Sequence, residues 1–373
     1  MEKFCIFCGE RPISKNKEHV LPQWLLSMTG DPKRALKLPF PYVGRDTLER
    51  EIAFDALHFP ACSECNHAFS ESENNAKKVV EKILQHSLLS ASDFDTLLSW
   101  LDKVRVGLWL GFLYLGNNPF SISPKYHITK RITTKDRVIV IYRANDQRAG
   151  LHFQGTNVPM FHYLPSCFTL VINEFYFFNI SADFLFARRL GFPYPTKSML
   201  RDDGKLELDM RSGRESLMLP PIRLPFSKDG TEIYQPIFSN EVFRDRPEMY
   251  DTAYVRGMSI DWNKGIGWPI QVIDQRWAKV PSEPTLDWFP RTAHTRADLH
   301  VMTVRQTLTI QADLWDYLYS STDKAVRKTM EAAQRINRTW SKLPSNQLSA
   351  LQVLPPNIAL NPDASPNGVA PVS

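Results

Sequence analysis

The chain has 373 residues, 43% of them hydrophobic, and a formal net charge of +5. This is enough apolar material for two or three compact domains, each with its own core. The small excess of Lys and Arg suits a polyanionic partner without demanding one. Five cysteines are too few for a disulfide scaffold in a chain of this size.

In chain order, the N-terminus is too polar and too short for a secretory segment. The most apolar stretch, 104–115, is broken by Arg105 and is far shorter than a bilayer span. The expected location is the cytoplasm. Residues 1–90 hold two Cys-x-x-Cys pairs and end in a helical stretch over 66–85. A second helix is expected over 92–115, with Ser92 as N-cap and Asp95 three residues on. From 128 to about 225 the texture turns β-branched and aromatic, with strand runs at 137–143, 167–180, 184–187 and 205–210. Residues 226–299 read as long ordered loops with short strand candidates such as 268–273. A strand-like run at 300–311 then precedes a helix or helix pair over 312–343. The tail, 344–373, is rich in Pro, Asn, Ser and Ala and reads as disordered. The predicted organisation is therefore α+β: an N-terminal module over 1–90, a helical connector and mixed α+β region over 91–343, and the tail.

Chemistry concentrates near the N-terminus. Cys5, Cys8, Cys62 and Cys65 offer four thiolates in two pairs, the number a closed tetrahedral structural zinc site requires. A redox dithiol would instead call for a single pair beside a βαβ unit. In so short a segment a zinc ion joining the two ends supplies folding free energy directly. The fifth cysteine, Cys167, sits in an apolar run and reads as a buried core thiol.

Between and after the pairs stand Lys17-Glu18-His19-Val20-Leu21-Pro22 and Pro60-Ala61-Cys62-Ser63-Glu64-Cys65-Asn66. This arrangement resembles the HNH (ββα-metal) endonucleases of the zinc-knuckle type, and the likeness covers roughly residues 5–84. The resemblance implies His19 as the general base that activates water. It implies Glu18 and Asn66 as ligands of a catalytic Mg²⁺ or Mn²⁺ ion, hence the catalytic set His19, Glu18 and Asn66. It also implies cleavage of DNA to 5′-phosphate and 3′-hydroxyl ends, as in restriction and phage-defence effectors. Two departures stand out. The position before the histidine is usually Asp, one methylene shorter than Glu18. Where many relatives carry a His or Lys early in the following helix, this chain has Phe69 and Ser70.

The physical logic stands beside the likeness. Hydrolysis of a phosphodiester needs a water deprotonated near neutral pH, which suits histidine, and a cation to stabilise charge on the phosphoryl oxygens. Neighbouring strand residues point to opposite sides, so Glu18 and His19 share a cleft only if the backbone bends or a water intervenes. Phe69, Glu73, Ala76, Val80, Ile83 and Leu84 fall on one helical stripe. Glu73 is then a buried carboxylate, either a further ligand of the catalytic metal or the partner of Lys77. His58 reads as a strand residue beside the zinc site, or as a group that orients His19 or phosphate. His67 should face solvent.

On the last helix Lys324, Lys328, Arg335, Arg338 and Lys342 share one face and Val326, Met330, Ala333, Ile336 and Trp340 another, interrupted by Glu331. That pattern suits contact with nucleic-acid phosphates or a solvated surface helix. The aromatic clusters Trp109, Phe112, Tyr114 and Phe175 to Phe178 read as core. A single active site nicks one strand, so double-strand cutting would call for a homodimer, and the large accompanying region leaves room for a regulatory protein partner. RNA is an alternative substrate. The rival reading is a non-catalytic, zinc-stapled scaffold or nucleic-acid-binding protein.

Overall fold

The computed structural model describes residues 4–12, 16–40, 48–115, 127–200, 206–211, 229–237, 266–273, 276–285, 287–318 and 324–349. The N-terminal part begins with β1 (Asn16–His19), α1 (Gln23–Met28), β2 (Ala35–Phe40), β3 (Leu48–Ala53) and β4 (His58–Ala61). β1 pairs antiparallel with β4, and β2 with β3. Two long helices follow, α2 (Ser63–Leu84) and α3 (Ala91–Leu115).

α3 starts at a reciprocal cap. The Asp93 amide donates to Ser90 Oγ at 3.3 Å, and the Ser90 amide donates to Asp93 Oδ2 at 2.9 Å. The expected cap at Ser92 and Asp95 is thus displaced by two residues, because the Ser-x-x-Asp pattern also occurs at Ser90 and Asp93. Gly107 and Gly111 lie one turn apart on this helix. A Cβ at Gly107 would stand 3.2 Å from Val20 Cγ1, and one at Gly111 only 2.9 Å from Phe59 Cζ. Glycine weakens a helix interior by about 1 kcal/mol relative to alanine. Here it lets the β1–β4 hairpin settle against the backbone of α3.

The body is built on β5 (Asp136–Arg143), β6 (Leu151–Gln154), α4 (Pro159–Tyr163), β7 (Cys167–Ile172), β8 (Phe175–Ala182) and α5 (Ala187–Leu190). A separate hairpin joins β9 (Tyr194–Leu200) and β10 (Leu206–Arg211). Next come β11 (Thr231–Gln235), β12 (Ile270–Ile273) and β13 (Arg276–Lys279). The chain then forms α6 (Arg296–Leu318), α7 (Lys324–Ser341) and α8 (Ser345–Ser349). Seven strands make one antiparallel sheet in the order β13-β12-β11-β5-β8-β7-β6.

β7 and β8 are buried at every residue, as their near-continuous apolar sequences require of central strands covered on both faces. Alternate residues of β5 feed different cores. Ile139 and Ile141 face the cluster that contains α2 and α3, while Val138, Val140 and Tyr142 face the one that contains Leu299, Ile310 and Leu314 of α6. The fold is α+β. The first core runs without a break from Cys5 through α2 and α3 to Ile336 and Trp340 of α7.

Three local expectations are corrected. The run 184–187 is a turn over 184–186 that opens α5 at Ala187, and Phe184 has φ 55°. In 226–299 the strand candidate at 268–273 is β12, but β11 and β13 join it in the sheet where loops were expected, and β11 sits directly against β5. The run 300–311 is helical, part of α6, and is buried over most of its circumference, with Thr303, Val304, Gln306, Thr307, Leu308, Ile310 and Gln311 all enclosed. The helix is announced by Thr295 and Asp298, whose side chains meet at 2.7 Å in a capping box. Of the tail, residues 345–349 form α8 and residues 350–373 lie outside the described residues.

Candidate metal centre and hairpin site

The first knuckle is a tight turn. The Gly9 amide donates to the Cys5 carbonyl at 2.9 Å with Gly9 at φ +81°, and the Cys5 amide donates to the Glu10 carbonyl at 2.7 Å. The Ile6 amide donates to the Pro60 carbonyl at 3.0 Å, which lays the knuckle along β4. Cys62 caps α2 and Cys65 lies in its first turn. A third segment closes over the knuckle from outside. The Ile128 amide donates to the Ile6 carbonyl at 3.0 Å, and Thr129 Oγ1 donates to the Phe7 carbonyl at 2.8 Å.

All four Sγ atoms lie within 4.8 Å of one another, with Cys5 and Cys62 at 3.7 Å. Zinc–sulfur bonds of about 2.3 Å in a tetrahedron separate the sulfurs by about 3.8 Å, so the four cysteines are positioned to bind a metal ion and fit a structural zinc. The Cys62 amide donates to Cys5 Sγ at 3.3 Å. Burial, then the hydrogen-bonded and charged neighbours Cys62, Cys8 and Cys5, push the Cys65 thiol far up. Four sulfurs this close shed their protons together only around a cation.

The β1–β4 hairpin presents two faces. Glu18 turns inward, 6% exposed, and its Oε1 accepts from Lys103 Nζ of α3 at 2.5 Å. Glu73 of α2 accepts from the same ammonium at 2.5 Å. Lys103 Nζ also stands 5.4 Å from the Phe7 ring and 5.6 Å from the Phe69 ring, and those two rings stack at 4.3 Å. Burial raises the Glu18 carboxyl, against the pull of Lys103. Glu73 is thus salt-bridged, as one reading of the helical stripe required, but to Lys103 and not to Lys77, which pairs with Glu81 at 3.8 Å.

As they stand, Glu18 and Glu73 share one ammonium, which a divalent cation would have to displace to use them as ligands. Among the described residues, the four cysteines alone bring three or more ligand atoms of His, Cys, Asp or Glu that close together.

On the other face His19 pairs in register with His58, their rings edge to face with centroids 5.9 Å apart. Both are half-buried. His19 Nδ1 is enclosed and has no hydrogen-bond partner among the described residues. Burial, then the His58 ring, hold the His19 imidazole below its ordinary value. Lys17 acts in the same direction, while Asp55 and Glu73 oppose it. Asn66 ties the start of α2 to β1, its Nδ2 donating to the Lys17 carbonyl at 3.2 Å. The amide is therefore engaged with the strand two residues before His19. His67 is exposed, as expected.

Lys103 escaped the sequence reading. Its partners lie 85 and 30 residues away, so no local pattern joins them. The available signal was the run Asp102-Lys103-Val104-Arg105, three charges in the middle of a helix that is otherwise apolar from Leu97 onward except for Ser99. Arg105 and Asp102 are likewise buried and pair at 2.7 Å.

On α7, Arg327, Lys328, Arg335 and Arg338, and Lys342 just past its end, are exposed together with Glu331, while Met330, Ala333, Ile336 and Trp340 are buried. Arg338 approaches Asp313 at 3.7 Å. Lys324 opens the helix, and its side chain lies outside the described residues. Trp109, Phe112 and Phe175 to Phe178 are core, and so is Cys167, whose thiol burial raises far above its ordinary value. No described helix is long and apolar enough to cross a membrane.

The chain matches no protein-family model, no curated protein and no solved structure. The likeness to HNH nucleases therefore rests on the sequence motifs alone, Cys5-x-x-Cys8, Glu18-His19-Val20-Leu21-Pro22 and Cys62-x-x-Cys65-Asn66.

Proposed function

We propose that the chain is a zinc-stapled HNH-type endonuclease that hydrolyses DNA phosphodiester bonds with His19 as general base. The observation that carries this reading is the joint placement of three motif elements. A four-sulfur site sits at the root of an antiparallel hairpin that presents His19, and α2 follows β4 directly with Asn66 bonded to β1. The pairing of β1 with β4 and the direct passage of β4 into α2, with α1 and the β2–β3 hairpin inserted between the two strands, support a ββα module.

His19 is suited to its role because its surroundings disfavour a resting proton, leaving the imidazole free to take one from water. The water oxygen attacks phosphorus in line and the bond to the 3′-oxygen breaks. The basic face of α7 supports contact with phosphates, since exposed Arg and Lys side chains there outnumber a single exposed glutamate.

The Glu18–Lys103–Glu73 cluster favours the rival, a non-catalytic nucleic-acid-binding scaffold, because it withdraws Glu18 from the role the resemblance implies. One experiment separates the two. Purified protein is incubated with supercoiled plasmid or labelled RNA, in Mg²⁺, in Mn²⁺ and without either. Cutting of plasmid that falls by about 10²–10⁴-fold in His19→Ala, with unchanged thermal stability, is the expected result. Binding without cutting by either protein establishes the scaffold, and cutting of RNA alone reassigns the substrate.

A further inference from the structure

Hydrolysis at this site leaves one requirement unassigned. The departing 3′-oxygen is strongly basic and needs a proton or a cation as its bond to phosphorus breaks. Glu18 and Glu73 cannot place a cation there while both are bound to Lys103. The only other histidine on the hairpin is His58, the direct register partner of His19.

We propose that His58 is the general acid of this site, donating its proton to the leaving oxygen while His19 takes one from the attacking water. This rests on the nuclease reading above. Directly paired residues of an antiparallel ladder project from the same face, so both rings border one stretch of surface, opposite the face that buries Glu18 and Phe59. With centroids 5.9 Å apart and a hydrogen-bond reach of about 3 Å from each ring, the two imidazoles address two oxygens of one phosphate.

The step also returns the pair to the proton count it began with. A water O–H proton passes to His19, the water oxygen bonds to phosphorus, and the P–O3′ pair of electrons leaves with the oxygen, which takes the His58 proton. Solvent then returns a proton to His58 and removes one from His19. The charged groups that act on His19 are Lys17 on β1, Asp55 ahead of β4 and Glu73 on α2. None of the three is a register partner of either ring.

The test replaces the leaving oxygen. In an oligonucleotide with sulfur at the 3′-bridging position, the thiolate departs without protonation. His58→Ala should lower cleavage of the ordinary substrate by about 10²–10⁴-fold and cleave the sulfur substrate within a few-fold of wild type. His19→Ala should be slow on both. His58→Asn repeats the measurement with a side chain of similar size, and bound zinc reports that the hairpin is intact. The proposal is overturned if His58→Ala cuts the oxygen substrate normally, or if both His58 variants are equally slow on both substrates. If the wild type cuts neither, the nuclease reading itself has failed.

Discussion

The hairpin of β1 and β4 and the hairpin of β7 and β8 are both antiparallel pairs, yet they are held in different ways. β7 and β8 are enclosed at every position by side chains above and below. β1 buries only Glu18, and β4 only Phe59 and Ala61. Hydrophobic burial stabilises by roughly 25 cal/mol per Å² of apolar surface, which favours the large sheet and gives little to a pair of four-residue strands. Besides the buried Phe59 and Ala61, the short hairpin relies on point attachments: four sulfurs, one ammonium and one asparagine amide. Stability is spread over many contacts in the body and concentrated in a few at the site, so single changes should act very differently in the two places.

The largest effect should come from the metal. Chelation, or Cys62→Ser, should remove bound zinc and release amide protection across β1 and β4, while the amides of β5, β7 and β8 stay protected in hydrogen exchange. Zinc binding contributes about 10–16 kcal/mol in isolated zinc peptides, far more than the hairpin itself buries. Global loss of protection would show that the two regions unfold as one.

Next in size is Lys103→Met, which leaves two carboxylates facing each other without a counter-ion. Breaking a buried pair from one side costs about 3–5 kcal/mol. Denaturant unfolding should show a loss of that order, partly recovered in the triple variant Lys103→Met/Glu18→Gln/Glu73→Gln. No recovery would mean that the lysine acts through its packing on Phe7 and Phe69.

The smallest effect on folding should come from the body's surface. Arg335→Glu with Lys342→Glu should leave the melting temperature nearly unchanged, weaken DNA binding and flatten its dependence on salt by about one unit of slope per lost phosphate contact. An unchanged slope would make α7 an ordinary solvated helix.

Legibility in the sequence follows the same division. The strands of the body could be read because central strands advertise themselves as long apolar runs, as Cys167 to Ile180 does with only its Asn173-Glu174 turn between. The four-cysteine site could be read because ligand spacing is local and specific. α6 was misread because Val301, Thr303, Val304, Thr307 and Ile310 are β-branched, and tertiary burial overrode their preference. The link from Glu18 to Lys103 and the register of His19 against His58 depend on where the chain returns in space, and no periodicity encodes that.

The closing segment at Ile128 and Thr129, together with Lys103, carries a consequence for the order in which the chain is made. During synthesis the cysteines emerge well before the lysine and the clamp that complete their surroundings. A ribosome-bound chain of ninety or so residues would own every motif of the site and still lack its counter-charge and its outer brace. Whatever this hairpin does, it should come into working order only after the third helix and the turn beyond it have left the exit tunnel.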